Sequence, residues 1–152
     1  MAQPTLPFGK DHDIEYLKDY HLTHGLLSPS EAKFYGSLLQ ASMNLMLMPF
    51  PKVRVEDIVY VNKYSHRRES LRGRVKSRHF DFILCSLNET LKPVLALELD
   101  GQTHLEEGSQ ISDRWKRLAC TQVGLPLVRI HQDLAYDSYQ IEHTISEALY
   151  AA

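Results

Sequence analysis

An α/β fold, with a mixed sheet between helices, is what the order of hydrophobic periods along this chain predicts. Three observations carry that expectation. A helix with a clear start signal opens the main body; three strand-like runs follow with no long helix between them; a single helix then separates the third run from a fourth. The first three strands therefore form an antiparallel meander, and the fourth lies parallel to the third after a right-handed crossover.

Residues 1–27 read as an N-terminal extension, in which the amphipathic stretch 13–24 predicts a short helix stopped at Gly25. Residues 28–152 read as one domain. Ser28 as N-cap, Pro29 at the first helical position and Glu31 three residues after the cap open a helix. Its inward positions Phe34, Tyr35, Leu38, Leu39, Ser42 or Met43, and Met46 recur at helical spacing, and Pro49 and Pro51 end it. The methionines at 43, 46 and 48 read as core filler. Residues 53–61, dense in Val, Ile and Tyr, predict the first strand. The second covers 79–84 and the third 93–99, with a turn centred near Asn88 and Glu89 between them. Residues 101–110 read as a loop, and Ser112 or Asp113 opens a helix to about Val123, closed by Gly124. The fourth strand covers 125–130. Asp137 with Gln140 opens a terminal helix with Ile141, Ile145 and Leu149 inward.

At 152 residues, 43% hydrophobic and 24% charged, the chain is long enough to bury one core, and disordered or collagen-like classes are excluded. Cys85 and Cys120 have no CxxC or Cys/His spacing, which argues against a zinc ribbon and fits a reducing compartment, so the cytoplasm is expected. Residues 1–10 lack the apolar run of a signal peptide, and no stretch nears the ~20 apolar residues of a membrane span.

The net charge of −2 hides an uneven distribution. Residues 63–79 contain Lys63, Arg67, Arg68, Arg72, Arg74, Lys76 and Arg78, with His66 and His79, against Glu69 alone. The segment therefore carries +6 and leaves −8 for the rest. A charge run is usually a solvated face. This one is nearly all of one sign and is interrupted by Tyr64, Gly73 and small polar residues, so it reads as a long basic loop or hairpin that tracks a phosphate backbone.

Alternation along the third strand puts Glu98 and Asp100 on one face and Leu97 and Leu99 on the other. Two carboxylates that close repel unless a cation or proton separates them. Asp81 lies on the neighbouring strand, and the hairpin brings it beside Glu98. Three carboxylates at one sheet edge suit a hard cation such as Mg²⁺, with Mn²⁺ as a substitute. The plainer reading makes Asp100-Gly101 a strand-ending turn and Asp81 a solvated edge residue.

Four linked motifs extend this picture: 78–84 (RHFDFIL), 96–104 (ALELDGQTH), 113–117 (DRWKR) and 124–130 (GLPLVRI), preceded by 27–35 (LSPSEAKFY). Together they resemble the bacterial domain-of-unknown-function 2726 family, within the PD-(D/E)XK nuclease superfamily and close to the very-short-patch-repair (Vsr-like) endonucleases. The resemblance implies a restriction-endonuclease-like core, with Asp81 and Glu98 as metal ligands. It also implies a lysine where this chain has Asp100. Lys116, on the following helix, is a candidate to replace it, although a surface pairing with Asp113 is the plainer reading. His104 is a candidate general base or leaving-group acid. Gln102 is a candidate to place a water or touch phosphate. Glu31, besides capping its helix, is a candidate to complete the metal shell. His79 is a candidate contact to the scissile phosphate, and Arg129 to phosphate or a neighbouring carboxylate.

The expected activity is Mg²⁺-dependent cleavage of DNA, as endonuclease or nickase, with a homodimer or a specificity-supplying protein as possible partners. A non-cleaving nucleic-acid-binding module on the same fold is the alternative, favoured by Asp100 in the lysine position. A glycosidase reading of the carboxylates ranks last, because it gives the basic segment no task.

Overall fold

The computed structural model describes residues 19–88, 90–100, 107–131 and 136–151, with the side chains of 107–112 excepted. Helix α1, Pro29–Asn44, begins at the expected capping box: the Ser28 hydroxyl accepts from the Glu31 N–H at 3.3 Å, and the Glu31 carboxylate accepts from the Ser28 N–H at 2.8 Å. Phe34, Leu38 and Ala41, spaced at i, i+4 and i+7, form its buried stripe. Met43 and Met46 are exposed, which corrects the expectation that they fill the core.

The first strand differs most from the sequence reading. The helix stops at Leu45 without a proline, and Met46, at φ 57°, turns the chain into β1, Leu47–Arg54. Pro49 and Pro51 lie inside this strand rather than ahead of it. The sheet order β1-β2-β3-β4 explains why: β1 is an edge, where missing backbone donors are tolerated. Of the strand expected over 53–61, only 53 and 54 are strand, as the end of β1. Val55–Ile58 is a single helical turn, α2, whose first N–H bonds the Arg78 carbonyl at 2.9 Å. The basic segment is neither loop alone nor hairpin: turns lead into a short helix, α3, Arg68–Gly73.

Strands β2, His79–Ser86, and β3, Pro93–Asp100, pair antiparallel, and β1 pairs antiparallel with β2. Helix α4, Glu107–Val123, starts earlier than expected, so 107–110 are helical rather than loop. Gly108 and Ser109 have poor helix propensity, which costs about 1 kcal/mol or less each and is offset within a helix this long. Gly124, at φ 68°, closes it as expected. Its N–H bonds Thr121 O and the Leu125 N–H bonds Cys120 O, the paired bonds of a Schellman motif. Strand β4, Leu127–His131, then pairs parallel with β3. Helix α5, Ser138–Tyr150, is capped by Asp137 through the Tyr139 N–H and buries Ile141 and Ile145. Of the helix expected over 13–24, residues 13–18 lie outside the described residues, and 19–24 are not helical.

The four-stranded mixed sheet carries a core on each face. One unites α1 and α5 with Phe82, Leu84, Leu95 and Leu97. The other sets Val55, Val75 and Cys120 against Phe80, Ile83 and Ala96. Both cysteines are free and buried there, and burial pushes the Cys120 thiol up to about 11 and raises that of Cys85, so neither is a ready nucleophile at neutral pH. No helix among the described residues is long and apolar enough to cross a membrane.

Candidate functional site

Backbone pairing between β2 and β3 extends only as far as Phe82 opposite Leu97. One step beyond, the same register brings Asp81 beside Glu98, and the ladder opens. The Asp81 carboxylate takes over there: Oδ2 accepts the Leu99 N–H at 3.0 Å, satisfying a donor that the strands no longer pair. A side chain so used cannot swing freely, so the loss of pairing fixes Asp81 in the seam.

The next strand departs from regularity at the same level. Lys52 sits opposite Asp81 between the pairs Pro51–Phe82 and Val53–Phe80, and its φ of 54° is left-handed. Strict alternation would put Phe50 and Val53 on opposite faces, yet both pack on the second core. Phe80 and Phe82 should share a face, yet they belong to different cores. Lys52 thereby reaches two acids, with its Nζ 2.5 Å from Glu31 Oε1 and 3.3 Å from Asp81 Oδ1. Burial favours neutral Glu31, but the hydrogen bonds from Lys52 and Ser28 outweigh it and hold the carboxyl below its usual range. Burial likewise opposes the Lys52 charge, and Glu31 and Asp81 outweigh it and raise that group.

On the other side of the seam, Glu98 is 7% exposed and Lys116 of α4 is equally buried. Lys116 Nζ lies 2.5 Å from Glu98 Oε2 and 3.4 Å from the His79 carbonyl, with Asp113 at 3.8 Å. Lys116 therefore points into the sheet, not along the helix surface. Glu98 Oε1 is buried and has no hydrogen-bond partner among the described residues. Burial pushes the Glu98 carboxyl up to about 7 against the downward pull of Lys116, and the charges of Asp81 and Asp113 add to the rise.

Asp100 stands apart from this pair. Its Oδ2 faces Arg129 at 3.6 Å, and Arg129 also reaches Asp113 at 3.1 Å. Among the described residues no three His, Cys, Asp or Glu side chains stand together as a ready-made metal cage, so the expected carboxylate trio reduces to the Asp81–Glu98 pair. Glu31 joins them only through Lys52. His104 and Gln102 lie outside the described residues.

The nucleic-acid candidates divide. Arg72 is held by Glu56 and Arg68 by Glu69 at 3.1 Å. Arg78 donates to the Arg74 carbonyl. Lys63, Arg67, Arg74 and Lys76 have no acidic partner among the described residues and are exposed, as is His79. Lys52 was missed by sequence reasoning. Its one signal, a position opposite Asp81, depends on locating β1 correctly.

Fold and site together define a mixed α/β domain with one buried and one part-buried acid–lysine pair in a split sheet. The chain belongs to the family described as protein of unknown function (DUF2726), whose model matches residues 23–149. No curated protein and no solved structure gives a significant match.

Proposed function

We propose that this chain is a metal-dependent nuclease that hydrolyses phosphodiester bonds in DNA, as endonuclease or nickase, on a restriction-endonuclease-like PD-(D/E)XK core. The observation that carries the reading is Glu98 Oε1: a buried carboxylate oxygen without a donor, beside the carboxylate of Asp81. An ionised oxygen held away from water costs several kcal/mol unless a positive charge meets it, and Lys116 meets only the other oxygen. Oxygen donors of this kind fit Mg²⁺ or Mn²⁺, with Asp81 and Glu98 as the protein ligands. When bound, such an ion supplies a more acidic water and neutralises charge on a phosphoryl oxygen.

The chain's own residues do the rest. Lys116 brings a positive charge to Glu98, the task for which the resemblance implies a lysine at position 100. Lys52 fixes Asp81 in the seam and ties it to α1 through Glu31. Arg129 draws Asp100 aside, so the sheet edge does not carry three free negative charges. Lys63, Arg67, Arg74 and Lys76, exposed and without an acidic partner among the described residues, offer cations to a phosphate backbone.

A second reading, a nucleic-acid-binding module without catalysis, is favoured by one observation: both carboxylates of the seam already have a lysine partner. Supercoiled plasmid with Mg²⁺, compared with excess chelator and with the Asp81→Ala and Glu98→Ala variants, separates the two. Nuclease activity predicts metal-dependent relaxed or linear product, lost in both variants. Unchanged plasmid in every condition, with binding that weakens steeply as salt rises, favours the module instead.

A further inference from the structure

We infer that the cavity between residues 59–75 and the outer face of α4 is a binding pocket for an unpaired nucleobase. The inference rests on the nucleic-acid reading above and narrows it to a substrate with a single-stranded or unpaired position. The cavity measures about 370 Å³ and is lined chiefly by Val61, Leu71, Val75, Trp115 and Leu118, with Arg74 at its side. That volume lies within the range of small-ligand sites. Helical spacing accounts for one wall. Trp115, Leu118, Ala119 and Gln122 share a face of α4, while Asp113, Lys116 and Cys120 turn towards the sheet. The Trp that lines the pocket therefore immediately precedes the lysine that holds Glu98.

Two observations choose the occupant. The first is chemical: the Arg74 guanidinium lies over the Trp115 ring at 4.1 Å. Indole and guanidinium are both planar surfaces on which a base stacks. Because Arg74 covers one face of the indole, an incoming base displaces the guanidinium or stacks on its outer side, and the same arginine is a phosphate donor. The second is charge complementarity. Arg67, Arg74 and Lys76 on one wall's segment, and Arg114 and Arg117 on α4, are exposed. None of the first three has an acidic partner among the described residues. An apolar slot with one cation, Arg74, in its wall and an excess of exposed cations over Glu69 on the flanking segments matches a nucleotide, whose apolar face and anionic backbone need both. A base still paired inside a duplex hides its faces in the stack, so the slot selects one that is not.

Trp115 is the only tryptophan in the chain, so its emission reports this pocket alone. The test titrates wild-type protein, with chelator so that nothing is cut, against a single-stranded 12-mer, a 12-mer abasic backbone and a blunt duplex. Fluorescence anisotropy of the labelled strands measures binding, and quenching measures occupancy of the slot. The single strand should quench Trp115 and bind roughly ten-fold more tightly than the abasic backbone, the gain of about one stacked base. Trp115→Leu, checked for folding by circular dichroism, should remove that difference and leave abasic binding unchanged.

Equal binding of all three strands, or binding without quenching, overturns the pocket and leaves the nucleic-acid reading standing. A duplex that quenches as strongly as the single strand overturns the requirement for an unpaired base. Failure to bind any strand overturns both readings and points to a protein partner in the groove. Cleavage plays no part in the readout, so a protein that binds and never cuts passes this test while failing the plasmid assay.

Discussion

Asp81→Asn should lower metal-dependent plasmid cleavage by roughly a hundred- to a thousand-fold, the usual cost of removing one charge-stabilising group from a site. The substitution is chosen because it spares the seam. The Asn side-chain carbonyl can still accept the Leu99 N–H, the contact that holds residue 81 where the strands part. What is lost is the negative charge that would face a divalent ion, together with half of the acid held by Lys52. Thermal stability without metal should therefore change little, while the stabilisation that Mn²⁺ gives the wild type should largely disappear. A variant that cuts at the wild-type rate would remove Asp81 from the reaction.

Lys116→Met should destabilise the fold by about 3–5 kcal/mol at pH 8, because it leaves the Glu98 carboxylate buried without its partner charge. The pH dependence has a definite sign. The Glu98 carboxyl stands at about 7 in the folded chain against 4.5 for the free side chain, so the folded state holds the proton more strongly. Stability from this group is thus fully present below about pH 4.5 and is lost as pH rises through 7. Without Lys116 the folded carboxyl rises further, so the penalty grows at pH 8 and shrinks towards pH 5, where Glu98 is neutral. Adding Glu98→Gln to Lys116→Met should recover most of the loss at pH 8. Urea denaturation at both pH values measures all three. Equal penalties at pH 5 and pH 8 would assign the effect to lost packing instead of charge.

Much of the fold was legible because local rules and tertiary packing agree. The Ser28–Glu31 box, the Gly124 stop and the Asp137 cap each satisfy orphan backbone groups with residues adjacent in sequence. Strands β2 and β3 announce themselves by continuous apolar runs buried on both faces. The first strand did not, because Pro49 and Pro51 normally exclude a segment from a sheet and only its edge position admits them. That displacement also hid Lys52, since no local pattern shows that it lies across from Asp81. The early start of α4 was masked by Gly108 and Ser109.

At the site, alternation along β3 correctly separated Glu98 from Leu97 and Leu99. Spacing is silent on reach. Lys116 lies one helical turn from Asp113, which suggests a surface pair, and only the packing of α4 on the sheet brings its ammonium to Glu98. Asp100 shows the converse, because its distance from the pair is decided by Arg129 on the parallel neighbour, a contact between strands that are remote in sequence.

Crystals soaked in Mn²⁺ and measured for anomalous scattering put the shared-cation site to the most direct test. A single strong peak touching both the Asp81 carboxylate and Glu98 Oε1, absent from Asp81→Asn crystals, is the expected result. Saturating Mn²⁺ that leaves Glu98 Oε1 without a neighbour, or that binds only at the molecular surface, would contradict it.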